Sequence, residues 1–150
     1  MHILAMDLAT RTGYAATGGQ SGVADFAKAG TLKYRLGAFW GWLDGFLDAF
    51  PTDALVFESA HHRGGPATRS GIGMQTVVIL AGYRHELPVY CVHTTTLKKH
   101  ATGSGRAGKD EMLAAAIRQN PTVRFVDDNH VDAVWLLHYA TSYPGLLKEV

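Results

Sequence analysis

The sequence predicts an α/β protein: a mixed five-stranded sheet, three strands in an antiparallel meander and two more running parallel, with helices on both faces. Three observations carry this. Short alternating segments broken by polar and glycine-rich turns fill the first thirty residues. Apolar residues at helical spacing begin at Leu36. Beyond Pro51, short apolar runs alternate with longer helical ones, the pattern that lays strands side by side and helices across them.

In chain order, His2 to Leu8 alternates loosely and contains an acid near its end. Thr12 to Thr17 follows a polar turn, and Val23 to Leu32 follows Gly18-Gly19-Gln20-Ser21-Gly22. Leu36, Phe39, Trp40, Leu43, Phe46, Leu47 and Phe50 then form the i, i+3, i+4, i+7 stripe of an amphipathic helix, which Pro51 stops. Ala54–Phe57 and Pro88–Val92 are apolar runs of buried-strand length. Ile72–Leu87 between them is long enough for a helix and apolar on most sides, so it is either sandwiched inside the domain or shared with a partner subunit. Asp110 and Glu111 stand in the first turn of a helix reaching about Asn120, where acids complement the helix dipole. Asp128 to Ser142 is the last helix, with Asp127 or Asp128 as its cap.

A length of 150 residues suits one domain spanning 1–150. With 47% hydrophobic and 18% charged residues, the chain has a globular composition and no low-complexity tract. Its apolar stretches are too interrupted to span a bilayer, and no basic region followed by a long apolar run opens the chain, so neither membrane nor export is expected. Cys91, the single cysteine, reads as a small core residue in a reducing cytoplasm. The net charge of +1 conceals an asymmetry. Between Ser59 and Lys109 the one acid is Glu86, while Arg63, Arg69, Arg84, Lys98, Lys99, Arg106 and Lys109 fall there with five of the eight histidines. Clustered cations of this kind suit a phosphate backbone.

The acids gather elsewhere. Asp7 ends the first strand and Glu58 closes Ala-Leu-Val-Phe-Glu in the same manner, so parallel neighbouring strands would bring the two near enough to share a cation. In Asp127-Asp128-Asn129-His130-Val131-Asp132, Asp128 and Asp132 are i, i+4 neighbours on one helix face. Singly, Asp7 also reads as a turn acid, Glu58 as a surface residue and Asp127 or Asp128 as a cap. Jointly they occupy the positions that a mixed sheet gathers, and Asp132 opens an apolar stretch through Leu137, where a charge needs a partner. An all-oxygen donor set suits Mg²⁺ or Mn²⁺ rather than Zn²⁺. Two such ions roughly 4 Å apart serve phosphodiester hydrolysis.

Met-Asp-Leu-Ala-Thr-Arg-Thr-Gly-Tyr resembles the opening motif of the RuvC-type Holliday junction resolvases, and Val-Phe-Glu resembles their second acid. Leu97 to Met112 resembles the segment before their third helix, and Asp-Asn-His-Val-Asp-Ala-Val-Trp-Leu-Leu their closing acidic helix. The motifs run in the family's order over nearly the whole chain. The resemblance implies a ribonuclease H-like fold and a homodimer. It also implies paired symmetric nicks in a four-way DNA junction with Mg²⁺ or Mn²⁺, leaving 5′-phosphate and 3′-hydroxyl ends, in the cytoplasm of a bacterial or phage-infected cell. Asp7, Glu58 and Asp132 carry over as metal ligands. Asn129 stands where the family usually has Asp or His, so Asp128 is taken as the fourth ligand, with Asn129 or His130 as alternative or supporting groups. Lys98 and Lys109 match basic positions near the scissile phosphate, and Lys109 is assigned to neutralise developing charge.

Arg63, Arg69, Lys98, Lys99, Arg106 and Lys109 are the expected DNA contacts. After Glu58 the family tends to place an aromatic wedge, whereas this chain has His61-His62-Arg63-Gly64-Gly65-Pro66. The segment from His61 to Ser70 therefore reads either as a DNA-contacting loop or as a solvated one. Other readings of the same residues are a ribonuclease H-like nuclease acting on RNA–DNA hybrids or flaps, a non-catalytic junction-binding protein, and an ATP-binding module of the actin-like class. The last needs a duplicated domain.

Overall fold

The computed structural model describes residues 1–59 and 64–150. Its strands are β1 (Ile3–Asp7), β2 (Arg11–Ala16), β3 (Ser21–Asp25), β4 (Ala54–Glu58), β5 (Val89–Val92) and β6 (Lys148–Glu149). Its helices are α1 (Leu32–Ala49), α2 (Pro66–His85), α3 (Thr94–Thr102), α4 (Lys109–Gln119) and α5 (Asp128–Ser142). The strands form one mixed sheet in the order β3-β2-β1-β4-β5-β6. β1, β2 and β3 are the expected antiparallel meander, and β4 and β5 run parallel to β1.

The sheet has six strands rather than five. The added β6 is two exposed residues antiparallel to β5, too short to carry a periodic signal of its own. α3 was not expected either, because Thr94-Thr95-Thr96 has weak helix propensity; the His93 side chain starts it by accepting from the Thr95 N–H. β3 ends at Asp25 instead of continuing to Leu32, and a 3₁₀ turn at Ala27–Ala29 leads into α1. α2 begins at Pro66, so Pro66 to Ser70 is helix rather than loop. Proline is favoured at a first helical position because its missing N–H has no intrahelical partner to lose.

Strand alternation sorts the core into two layers. Leu4, Met6, Leu55 and Phe57 face α1 and α2 and pack with Phe39, Leu43, Phe46, Met74 and Val78. Ile3, Ala5, Ala54 and Val56 face the opposite way, against Val131, Trp135, Leu136 and Met112 of α5 and α4. Asp7 and Glu58 continue this second series, so both belong to the face that α5 covers.

Candidate active site

β1 and β4 pair in parallel with Ile3 level with Ala54 and Met6 level with Phe57. One step further, where the buried apolar run of each strand gives out, stand Asp7 and Glu58. A parallel pair with matched register therefore delivers two carboxylates to the same end and the same face of adjacent central strands.

α5 brings the third acid, and its first turn is fastened to the β2 end of the sheet. The Asn129 amide donates to the Arg11 carbonyl at 2.7 Å. Asp127 caps the helix by accepting from the His130 N–H at 3.0 Å, and its other oxygen takes the Arg11 Nε at 3.2 Å. Arg11 also pairs with Asp25 at 2.8 Å. Gly13, level with Asp7 across β1–β2, lies so near the α5 backbone that a Cβ there would collide with the Asn129 carbonyl. Glycine is required at that position by close approach rather than by its backbone angles.

These ties decide which residues of the acidic segment face the strand ends. Asp127 is the cap, which leaves Asp128 and Asp132 one turn apart on α5. Asn129 lines the cleft beside Asp7, but its amide nitrogen is committed to β2. His130 is 2% exposed, with its ring against Phe125 and its Nδ1 accepting from the Val126 N–H. Two positions from each of Asp128 and Asp132, it points round to the other side of the helix. His130 therefore belongs to the packing of the loop before α5.

The electrostatics record the convergence. Burial drives the Asp7 carboxyl well above the ordinary aspartate range, and the charges of Glu58, Asp132, Asp128 and Asp127 push it further. Asp132 is raised to about 7, first by burial and then by Glu58 and Asp128, against the opposing pull of Lys98 and Lys109. Asp128 differs: it is paired with Lys109, which lowers its pKa and raises that of the lysine. Among the described residues, no three His, Cys, Asp or Glu side chains are grouped closely enough to hold a metal ion as they stand. Asp7, Glu58 and Asp132 nevertheless feel one another's charge across a region of low dielectric, and Asp128 is held by Lys109. Their donors are all oxygens, which fits a hard divalent cation, and burial of like charges is what such a cation relieves.

Asp7 and Glu58 open into a cleft of about 630 Å³. Its walls are the β1–β2 turn Leu8–Arg11, Asn129, and the beginning of α2 with Ala67, Thr68, Ser70 and Gly71.

No protein-family model matches the chain, and no curated protein matches it in sequence. Solved structures do. The chain is similar to Thermus thermophilus RuvC in complex with a Holliday junction substrate, with a TM-score of 0.84 and 18% identity over 100% of this chain and 99% of the other. A second T. thermophilus RuvC structure gives 0.80 and 17%, with all of both chains covered. The chain has the RuvC fold. A yeast mitochondrial Holliday junction resolvase shares it more distantly, at a TM-score of 0.61 and 9% identity over 97% of this chain and 86% of that one.

Within this RuvC fold the basic residues are distributed unevenly. Lys98 on α3 and Lys109 at the start of α4 send their charge to Asp132. Lys99, Arg106 and Arg69 are exposed, on α3, on the α3–α4 turn and near the start of α2. Arg63, with His61 and His62, lies outside the described residues. Sequence reasoning missed Gly13, although a glycine inside an alternating strand is the usual mark of a close backbone approach.

Proposed function

We propose that this chain is a metal-dependent endonuclease that hydrolyses phosphodiesters at four-way DNA junctions, as a homodimer making paired symmetric nicks with 5′-phosphate and 3′-hydroxyl ends. One observation supports the chemistry: Asp7 and Glu58 open into one cleft, Asp132 from a third element feels the Glu58 charge, and burial beside other acids raises the pKa of both aspartates.

Asp7, Glu58, Asp132 and Asp128 are the residues that would hold Mg²⁺ or Mn²⁺, two ions per site. Bound there, the ions would supply positive charge to polarise the scissile phosphate and acidify the attacking water. The carboxylates would fix the ions, and through them the position of the phosphate. Asp128 keeps Lys109 at the rim, where its ammonium offsets charge developing on the phosphate oxygens. Lys98, Lys99, Arg106 and Arg69, with Arg63, hold the flanking backbone, a task that needs charge but no base contact. The fold shared with the resolvases supports a branched substrate.

The homodimer draws support from α2. Ile72, Ile79, Leu80 and Tyr83 recur at helical spacing and are 44%, 40%, 52% and 86% exposed, an apolar face available to a second copy. Among the described residues no helix is long and apolar enough to cross a membrane.

The deciding experiment offers a synthetic four-way junction, a linear duplex, a flap and an RNA–DNA hybrid to the protein with Mg²⁺ or Mn²⁺, with Asp7→Asn as control. Paired symmetric nicks confined to the junction, lost by at least about a thousandfold in Asp7→Asn with junction binding retained, are expected. Cutting that favours hybrid or flap would replace the substrate, and no metal-dependent cleavage of any of them would refute the nuclease reading.

A further inference from the structure

The cleft has two unlike walls. One carries Asp7 and Glu58; the other is the start of α2, a twenty-residue helix with Gly65 as N-cap and Pro66, Ala67 and Thr68 as its first turn. Among the described residues no side chain caps this end, and no acid occupies its first turn. The amide N–H groups of such a turn have no intrahelical partners, and the dipole places roughly half a positive charge there. Gly64, Ala67 and Thr68 line the cleft and are small, so a ligand can come close to that backbone.

A second observation, independent of the dipole, comes from the next turn. Ser70 lines the same cleft, is 7% exposed, and its hydroxyl is buried with no hydrogen-bond partner among the described residues. Leaving a buried hydroxyl unsatisfied costs about 1–3 kcal/mol, and a helical serine ordinarily avoids this by bonding back to the preceding turn. A hydroxyl left without a partner on the wall of an open cleft is a donor waiting for an acceptor that enters the cleft. The cleft's volume exceeds what a single phosphate at the carboxylates would occupy.

We propose that the first turn of α2 and the Ser70 hydroxyl form a second phosphate subsite, which takes a phosphodiester of the same strand adjacent to the one held at the carboxylates. The inference rests on the nuclease reading for the identity of the ligand, and on α2 alone for its anionic character. The subsite sets the register of the strand, because a phosphate anchored there fixes which neighbour reaches Asp7 and Glu58. It requires no metal: neutral amide and hydroxyl donors oriented by the helix meet a singly charged phosphodiester.

The test uses the full chain without divalent cation and has two arms. In the first, inorganic phosphate is titrated into isotope-labelled protein; the Ala67 and Thr68 amide resonances should move, and Ser70→Ala and Thr68→Glu should each weaken that response about tenfold, the loss of one charge-assisted hydrogen bond or the intrusion of a like charge. Ser70→Ala should melt no lower than the wild type, since it removes an unsatisfied hydroxyl, and Thr68→Glu exchanges the exposed Thr68 hydroxyl bond to the Gly64 carbonyl for an acid at a helix start. A purely structural serine would instead lower the melting temperature and leave the phosphate response intact. In the second arm, single methylphosphonates are scanned along a four-way junction; one position beside the cut should weaken wild-type binding about tenfold yet make no difference to Ser70→Ala. Resonances at Ala67 and Thr68 that ignore phosphate, or variants that respond as the wild type does, would overturn the subsite. If phosphate shifts these amides while no junction is bound, the subsite stands and the junction reading fails; if the junction is cut and phosphate has no effect, the reverse holds.

Discussion

The two faces of the sheet are built from different materials. Towards α1 and α2 the core is aromatic: Phe26, Phe39, Trp42, Phe46 and Tyr14 form edge-to-face, tilted and stacked pairs with centroids 5.3 to 6.2 Å apart. Towards α5 the core mixes Ile3, Val56, Val131, Trp135 and Leu136 with small residues, Ala5, Ala15, Ala54 and Gly13 on the strands and Ala133 and Ala140 on α5. Large side chains hold helices away from a sheet, whereas alanine and glycine let backbone approach backbone. Only the second arrangement can bring acids at a helix start up to acids at strand ends. Both faces supply buried core, and the close approach at Gly13 adds position.

That contrast is exposed most sharply by Gly13→Ala. A methyl group at this point meets the Asn129 carbonyl, which has no freedom to rotate away. Cleavage should fall by about a hundredfold or more, the usual consequence of displacing a reacting group by about 1 Å, while strand propensity itself improves. Rates like those of the wild type would show that α5 does not need this close approach.

On the other face, Phe39→Ala should cost about 3–5 kcal/mol of unfolding free energy, read from denaturant melts, because Phe39 is fully buried. Activity per folded molecule should change little. A comparable loss of turnover at temperatures where the variant is folded would erase the division of labour between the faces.

The smallest effect is a dependence of stability on pH in metal-free protein. Asp132 and Asp7 have folded pKa values above those of the unfolded chain, so the folded state binds more protons and becomes less stable as pH rises from the ordinary carboxyl range to about 7. The melting temperature should decline across that window, by several degrees, and Asp7→Asn should flatten the decline and raise the value near neutrality. Mg²⁺ or Mn²⁺ should stabilise the protein most at the upper end, where protons no longer compete. A melting temperature that climbs through the same window would mean the acids are not mutually destabilising.

What the sequence discloses here is whatever periodicity and residue type control. Alternation in Ile3–Asp7 and Ala54–Glu58 already puts both acids on one face, and the spacing of Asp128 and Asp132 puts them on one side of a helix. The meander, the two parallel strands and the long helices follow from patterns that survive without tertiary context. Contacts between distant segments are not written this way. Whether Asp127 or Asp128 caps α5 depended on Arg11 being in reach of Asp127, more than a hundred residues away. The Asn129 amide was assigned to β2 by the packing at Gly13. β6 pairs with the open edge of β5, His93 caps α3, and the burial of Ser70 is set by packing. Local sequence fixes which faces carry which chemistry, because side-chain direction is a property of the backbone period. Which groups meet is decided by chain closure, since only the packed sheet and helices determine what lies within a hydrogen bond of what.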